Sequence, residues 1–156
     1  LRYDPDMGSD ARLSCSSSGH AWLSTLGEDA ALALVAQQGV GQPEDYGPQA
    51  PATLAEVMAA VQATRERGYS LTLETYTPGL NAMAAPVRFT GQPAIGVISI
   101  AGPTVRFTLE RMQALGEELM SVAAQLAAAS GASPFFAKSS QSLSATAAGR
   151  KPIYAP

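Results

Sequence analysis

Residues 65–103 decide the reading of this chain. They run Arg-Glu-Arg-Gly-Tyr-Ser at Arg65–Ser70, Pro-Gly-Leu-Asn-Ala-Met-Ala-Ala-Pro-Val at Pro78–Val87, and Ala-Ile-Gly-Val-Ile-Ser-Ile-Ala-Gly-Pro at Ala94–Pro103. A helix end, a Gly-Tyr turn and three strand-like runs follow one another with almost no charge on their inner positions. Tyr69, Leu71 and Leu73 alternate with Ser70, Thr72 and Glu74, the period of a strand that extends to Tyr76. Leu80–Phe89 and Ala94–Ala101 are two further strands, joined by Thr90-Gly91-Gln92-Pro93, where Gly91 can take a positive φ. Pro86 has no N–H to donate, which predicts an edge strand or a bulge there. An apolar cup with a few hydroxyls is the usual makeup of a small-molecule pocket.

Helices flank this core. Thr53-Leu54-Ala55-Glu56 is a capping box. It opens a helix to Arg67 with Leu54, Val57, Met58 and Val61 on one face, and Gly68 closes it. Upstream, Leu13–Ser16 reads as a short strand. Ser17 or Ser18 caps a short helix, and a second helix spans Glu28–Gln38 with Leu32, Val35 and Ala36 as its apolar stripe. The segment from Gly39 to Pro51 is rich in Gly and Pro and reads as loop. Downstream, Thr108 caps one long helix to Ser130 whose predicted face is Leu109, Met112, Leu115, Leu119, Val122 and Leu126. Gly131 stops it. The domain is therefore expected at 1–131, and 132–156 is an irregular tail in which 139–149 reads as disordered. Leu1–Asp10 reads as loop.

Composition narrows the function. The chain has 156 residues, 46% of them hydrophobic, enough for one domain with a core. The net charge of −3 leaves no basic face for nucleic acid. The lone Cys15 cannot form an internal disulfide, which suits a reducing, cytoplasmic setting. One His and one Cys cannot build a zinc site, and no metal or cofactor is expected. No apolar run reaches the roughly 18 residues of a membrane span, and Leu1–Asp10 lacks the apolar core of a signal peptide.

The order helix, strand, hairpin, long helix, with Ser18-Gly19-His20-Ala21-Trp22-Leu23 and Thr53…Glu56 upstream, resembles the effector-binding domain of IclR-family transcription regulators from Gly8 to about Gly131. The resemblance implies an α+β fold, GAF-like, with a central antiparallel sheet and helices packed on its faces. It implies a small-molecule effector, a carboxylate or an aromatic acid, and a homodimer or tetramer. It also implies that operator DNA is bound only through a helix-turn-helix domain not in this chain. Family domains begin with a helix and two strands before the segment at Leu1, so the N-terminal part of the domain is expected upstream. His20 stands where the family usually has Lys or Arg.

Carried over by motif position, the effector-binding residues are Tyr3, Ser17, Ser18, Thr72, Leu80, Ala82, Ser99 and Ala101. Ser17 and Ser18 would offer N–H groups at the helix start, Leu80 and Ala82 an apolar wall, Ser99 a hydroxyl, and Tyr3 a cover. Thr72 stands where some relatives have a carboxylate and Ala101 where some have a second Ser. The cup is thus less polar, which favours an effector larger or more apolar than a two-carbon keto acid.

Plainer readings stand beside these. Ser16–Ser18 can be a helix cap alone, and Ser99 can bond a neighbouring carbonyl. Glu74 reads as solvated. Two rival functions remain: a stand-alone GAF-like sensor or interaction module, and a small hydrolase using Cys15 or a Ser with His20. No acid is visible to orient that His, so no catalytic residue is expected.

Overall fold

Each of the three strand-like runs forms a strand, and together they make one antiparallel sheet in the order β1-β2-β3. The computed structural model describes residues 11–41 and 43–130. The expected loop at 1–10, Gly131 as a helix stop, and the tail at 132–156 lie outside these residues. The elements are α1 (Ser17–Leu23), α2 (Glu28–Gln38), a single 3-10 turn at Pro43–Asp45, α3 (Leu54–Arg67), β1 (Ser70–Leu73), β2 (Leu80–Val87), β3 (Gly96–Pro103), α4 (Leu109–Ala114) and α5 (Gly116–Ser130).

The sheet is the middle layer. Its register is unbroken: Thr72 pairs with Ala82, and Ala82 with Ala101, so one row crosses all three strands. On one face, Leu71, Leu73, Met83, Ala85 and Val87 pack with Tyr69, Phe107, Met112, Leu119, Ala123 and Ala127 of the C-terminal helices and their approach. On the other face lies α1. Behind it, Leu23, Ala31, Val35, Val57 and Val61 bind α1, α2 and α3 into a second core. Ser70 Oγ donates to Ser17 O (2.8 Å) and ties α1 to the sheet.

Local sequence explains the helix ends. Thr53 and Glu56 form the reciprocal capping box, and Gly68 takes a left-handed φ of 89° to end α3. Gly91 turns the β2–β3 hairpin at φ 74°.

Several expectations need correction. Leu13–Ser16 is a turn leading into α1 rather than a strand. The chain closes on itself there: Arg12 O accepts from Ser16 N and Ser16 Oγ. Consequently Ser16, not Ser17 or Ser18, is the N-cap, accepting from Gly19 N (3.0 Å). β1 stops at Leu73 because Glu74 takes φ 51° and its carboxylate accepts from Gly79 N (2.8 Å), which closes a turn. Glu74 is therefore a turn residue, not a solvated one. Pro86 sits in the central strand without a bulge. It is tolerated because β1 begins opposite Ala84, leaving β3 as the neighbouring strand at Pro86.

The helix stripes are also shifted. In α2 the buried residues are Ala31 and Val35, while Leu32 is 39% exposed and Ala36 is exposed. The predicted long helix is two, interrupted at Leu115. Its buried line is Met112, Gly116, Leu119, Ala123, Ala127 and Ser130, whereas Leu109, Val122 and Leu126 are 41%, 36% and 45% exposed. Small residues face the sheet because Met83 and Tyr69 already fill the gap; a Cβ on Gly116 would stand 2.4 Å from the Tyr69 ring.

Candidate functional site

One cavity of about 200 Å³ opens between α1 and the sheet face beneath it. Its lining includes Ser17, Ser18, Thr72, Leu80, Ala82, Ser99 and Ala101. Seven of the eight residues singled out from the sequence thus share one space; the eighth, Tyr3, lies outside the described residues. The strand period explains why. Thr72, Ala82 and Ala101 are cross-strand partners, and Leu80 and Ser99 lie two residues along on the same face.

The polar groups differ in what they can offer. Thr72 is buried, and its Oγ1 donates to Ala82 O (2.9 Å). Its proton is engaged, so Thr72 presents an oxygen rather than a donor. Ser99 and Ala101 lie on the exposed stretch of β3. The first-turn N–H groups of α1 have no intrahelical partners; Ser16 Oγ takes that of Gly19, leaving those of Ser17 and Ser18 at the cavity wall.

The sequence reading missed five lining residues: Ala11, Arg12, Ser16, Tyr76 and Thr77. Among the described residues, Arg12 is the lone charged side chain of the lining, and no carboxylate lines it. Its guanidinium carbon stands 5.9 Å from the centroid of Tyr46, and Tyr46 stacks on Tyr76 at 6.0 Å. No local pattern points to Arg12. It stands just before the turn that was read as a strand, at a position to which the sequence reading assigned no element.

The Cys15 and His20 pair does not form a catalytic site. Cys15 is buried, and burial raises its thiol pKa above the ordinary value, against the opposing effects of a Ser14 side-chain hydrogen bond and the Arg12 charge. A protonated thiol is a poor nucleophile. His20 is also buried, and desolvation lowers its pKa. Its Nε2 lies 2.9 Å from Ser14 O, so the ring serves the turn before α1. Among the described residues, no cluster of three or more His, Cys, Asp or Glu could hold a metal.

Comparison with known proteins agrees with this architecture. The family model "Bacterial transcriptional regulator IclR C-terminal" matches residues 1–128. The HTH-type transcriptional repressor AllR of Escherichia coli is 28% identical over 131 residues, 84% of this chain and 47% of its own length. The chain thus spans about half the length of the curated relatives it matches. The repressor BlcR of Agobacterium tumefaciens is similar in structure, with TM-score 0.65 and 27% identity over 74% of this chain and 46% of BlcR. The inducer-binding domain of PobR from Acinetobacter, solved as a double mutant with 3-hydroxybenzoic acid, has TM-score 0.68 and 21% identity. It covers 81% of this chain and 73% of that one, and at this identity shows the fold alone.

Proposed function

This chain belongs to the IclR family of bacterial transcriptional regulators, matching its C-terminal domain, and on that footing we propose that it is the ligand-sensing part of such a regulator. The relatives are transcriptional regulators, not enzymes. The effector binds in the cavity between α1 and the sheet, and Ser17, Ser18, Thr72, Leu80, Ala82, Ser99 and Ala101 contact it. Tyr3 keeps its proposed role as a cover. The observation that carries this reading is a cavity whose described lining is alanine, leucine and hydroxyl groups with one cation and no carboxylate. Such a lining suits a small organic anion.

Size narrows the class further. Roughly 150 Å³ holds a benzene ring, so about 200 Å³ takes one ring with a carboxylate. An aromatic acid fits this lining better than a two-carbon keto acid, because Ala82 and Ala101 present methyl groups on the cavity floor. PobR with 3-hydroxybenzoic acid makes that acid a sensible first probe.

Binding would act by population shift. The effector prefers one arrangement of the domain, and that preference passes to operator binding by a separate helix-turn-helix domain in a homodimer or tetramer. No bond is made or broken. Among the described residues no helix is long and apolar enough to cross a membrane, and a cytoplasmic regulator is proposed.

A thermal-shift screen against α-keto acids, short dicarboxylates and aromatic acids tests the assignment. A ligand at 100 times its Kd adds about 2.7 kcal/mol of stability, several degrees in Tm for a domain of this size. The expected hit is an aromatic acid whose shift shrinks in Ser99→Ala. A response to glyoxylate or pyruvate with none to benzoate-like acids would contradict the aromatic assignment.

A further inference from the structure

We infer that Arg12 is the specificity-determining residue of the cavity, pairing directly with the acid group of the effector, and that Gln38 is the positioning residue that holds it there. The inference rests on the cavity being the effector site. It adds what that reading lacks: the group that distinguishes an acid from its neutral analogue.

The hydroxyls cannot make that distinction alone. Thr72 has its proton on Ala82 O, and a Ser99 hydroxyl serves acid and amide alike because it can donate or accept. Arg12 is the one full charge in the lining among the described residues. A guanidinium offers a planar fork of donors that matches a carboxylate in two parallel hydrogen bonds. An amide can accept from that fork but carries no charge to attract it.

The backbone carrying Arg12 is held on both flanks. Gln38, the last residue of α2, donates from Nε2 to Ala11 O (2.9 Å) and accepts at Oε1 from Leu13 N (2.8 Å). One side-chain amide thus brackets Arg12 as a strand partner would. From the other direction, Arg12 O accepts from Ser16 N and Ser16 Oγ, which joins it to the N-cap of α1. Segment 11–13 is therefore fixed to two helices, and the exposed Arg12 side chain stands at the cavity mouth. Its described contact, the face of Tyr46, is a cation–π pair at an exposed site. Such a pair is weak enough to yield to a carboxylate. Tyr76, stacked on Tyr46 and lining the cavity, adds a flat apolar side beside the charge.

The test measures two probes, 3-hydroxybenzoate and 3-hydroxybenzamide, by calorimetric titration of the full chain. Wild type should favour the acid. Arg12→Gln should weaken the acid about tenfold, as loss of a charged hydrogen-bond partner does, and leave the amide within about twofold, as expected where no charged partner is lost. Gln38→Leu should lower the acid-to-amide ratio in the same direction. Adding it to Arg12→Gln should change the ratio no further, because the two act through one group. A variant that merely loosened the fold would weaken both probes equally, so the ratio separates positioning from stability. An unchanged ratio in Arg12→Gln overturns the role of Arg12. An unchanged ratio in Gln38→Leu, with Arg12→Gln altered, overturns the role of Gln38. If neither probe nor any keto acid, dicarboxylate or other aromatic acid binds wild type, the cavity assignment falls, and this inference with it.

Discussion

Gly19 shows how single residues fix the site. A Cβ there would stand 2.7 Å from Leu13 Cα and 2.8 Å from Arg12 O. The turn at 13–15 lies against α1 at that point, and the contact is to backbone, which cannot swing aside. Gly19→Ala should therefore cost roughly 1–3 kcal/mol as an overpacking change, read by urea unfolding, and should weaken ligand binding because Arg12 and the start of α1 line the cavity. His20 supports the same turn. Its folded-state pKa lies below the ordinary 6.5, so the unfolded chain binds the proton more readily. Stability should be full above that value and fall as pH drops through 6.5 towards the lower folded pKa. Urea midpoints at pH 7.5 and 5.5 should show a decline that is shallower in His20→Gln; equal declines would contradict the assignment. Cys15, buried and held protonated, should react with iodoacetamide only after unfolding. At this scale the sequence was readable where motif position carried the information, as for Ser99 and Ala82. It was silent on Arg12, whose importance comes from a side chain 26 residues away, Gln38, bracketing its neighbours.

Elements were easier to find than to orient. Capping residues gave the starts of α3 and α4 because a cap is a local hydrogen bond. The strand faces followed from period-two alternation. The helix faces did not follow, because hydrophobicity was taken as the mark of burial. In α5 the line against the sheet is Gly116, Leu119, Ala123, Ala127 and Ser130. Close approach of helix to strand selects small residues there and leaves Val122 and Leu126 outward. Leu119→Ala should then cost roughly 2–4 kcal/mol, while Leu126→Ala should stay under about 1 kcal/mol because little of its area is lost from water. Denaturant midpoints would decide the order, and the reverse order would restore the stripe first read from the sequence. Gly116→Ala should also destabilise, since its Cβ would enter the Tyr69 ring.

At the scale of the molecule, the chain is a sheet with a hydrophobic core on one face and a small cavity under α1 on the other. The α+β class and the placement of the cavity were legible because alternation sends one set of strand residues to each face. The shape of the cavity was not, since it depends on how Ala11 and Arg12 and the turn bearing Tyr76 and Thr77 come to line that face. The central claim is that this cavity is where the effector binds. Ala82 lies in the middle of its floor, paired with Thr72 and Ala101, and Ala82→Phe would fill the space without touching the other core. The decisive measurement is the melting temperature of wild type and Ala82→Phe, each with and without 3-hydroxybenzoate at saturating concentration. The account predicts a shift of several degrees in wild type and none in a variant that still melts cooperatively near the unliganded wild-type temperature. An undiminished shift in Ala82→Phe would place the ligand elsewhere and contradict it.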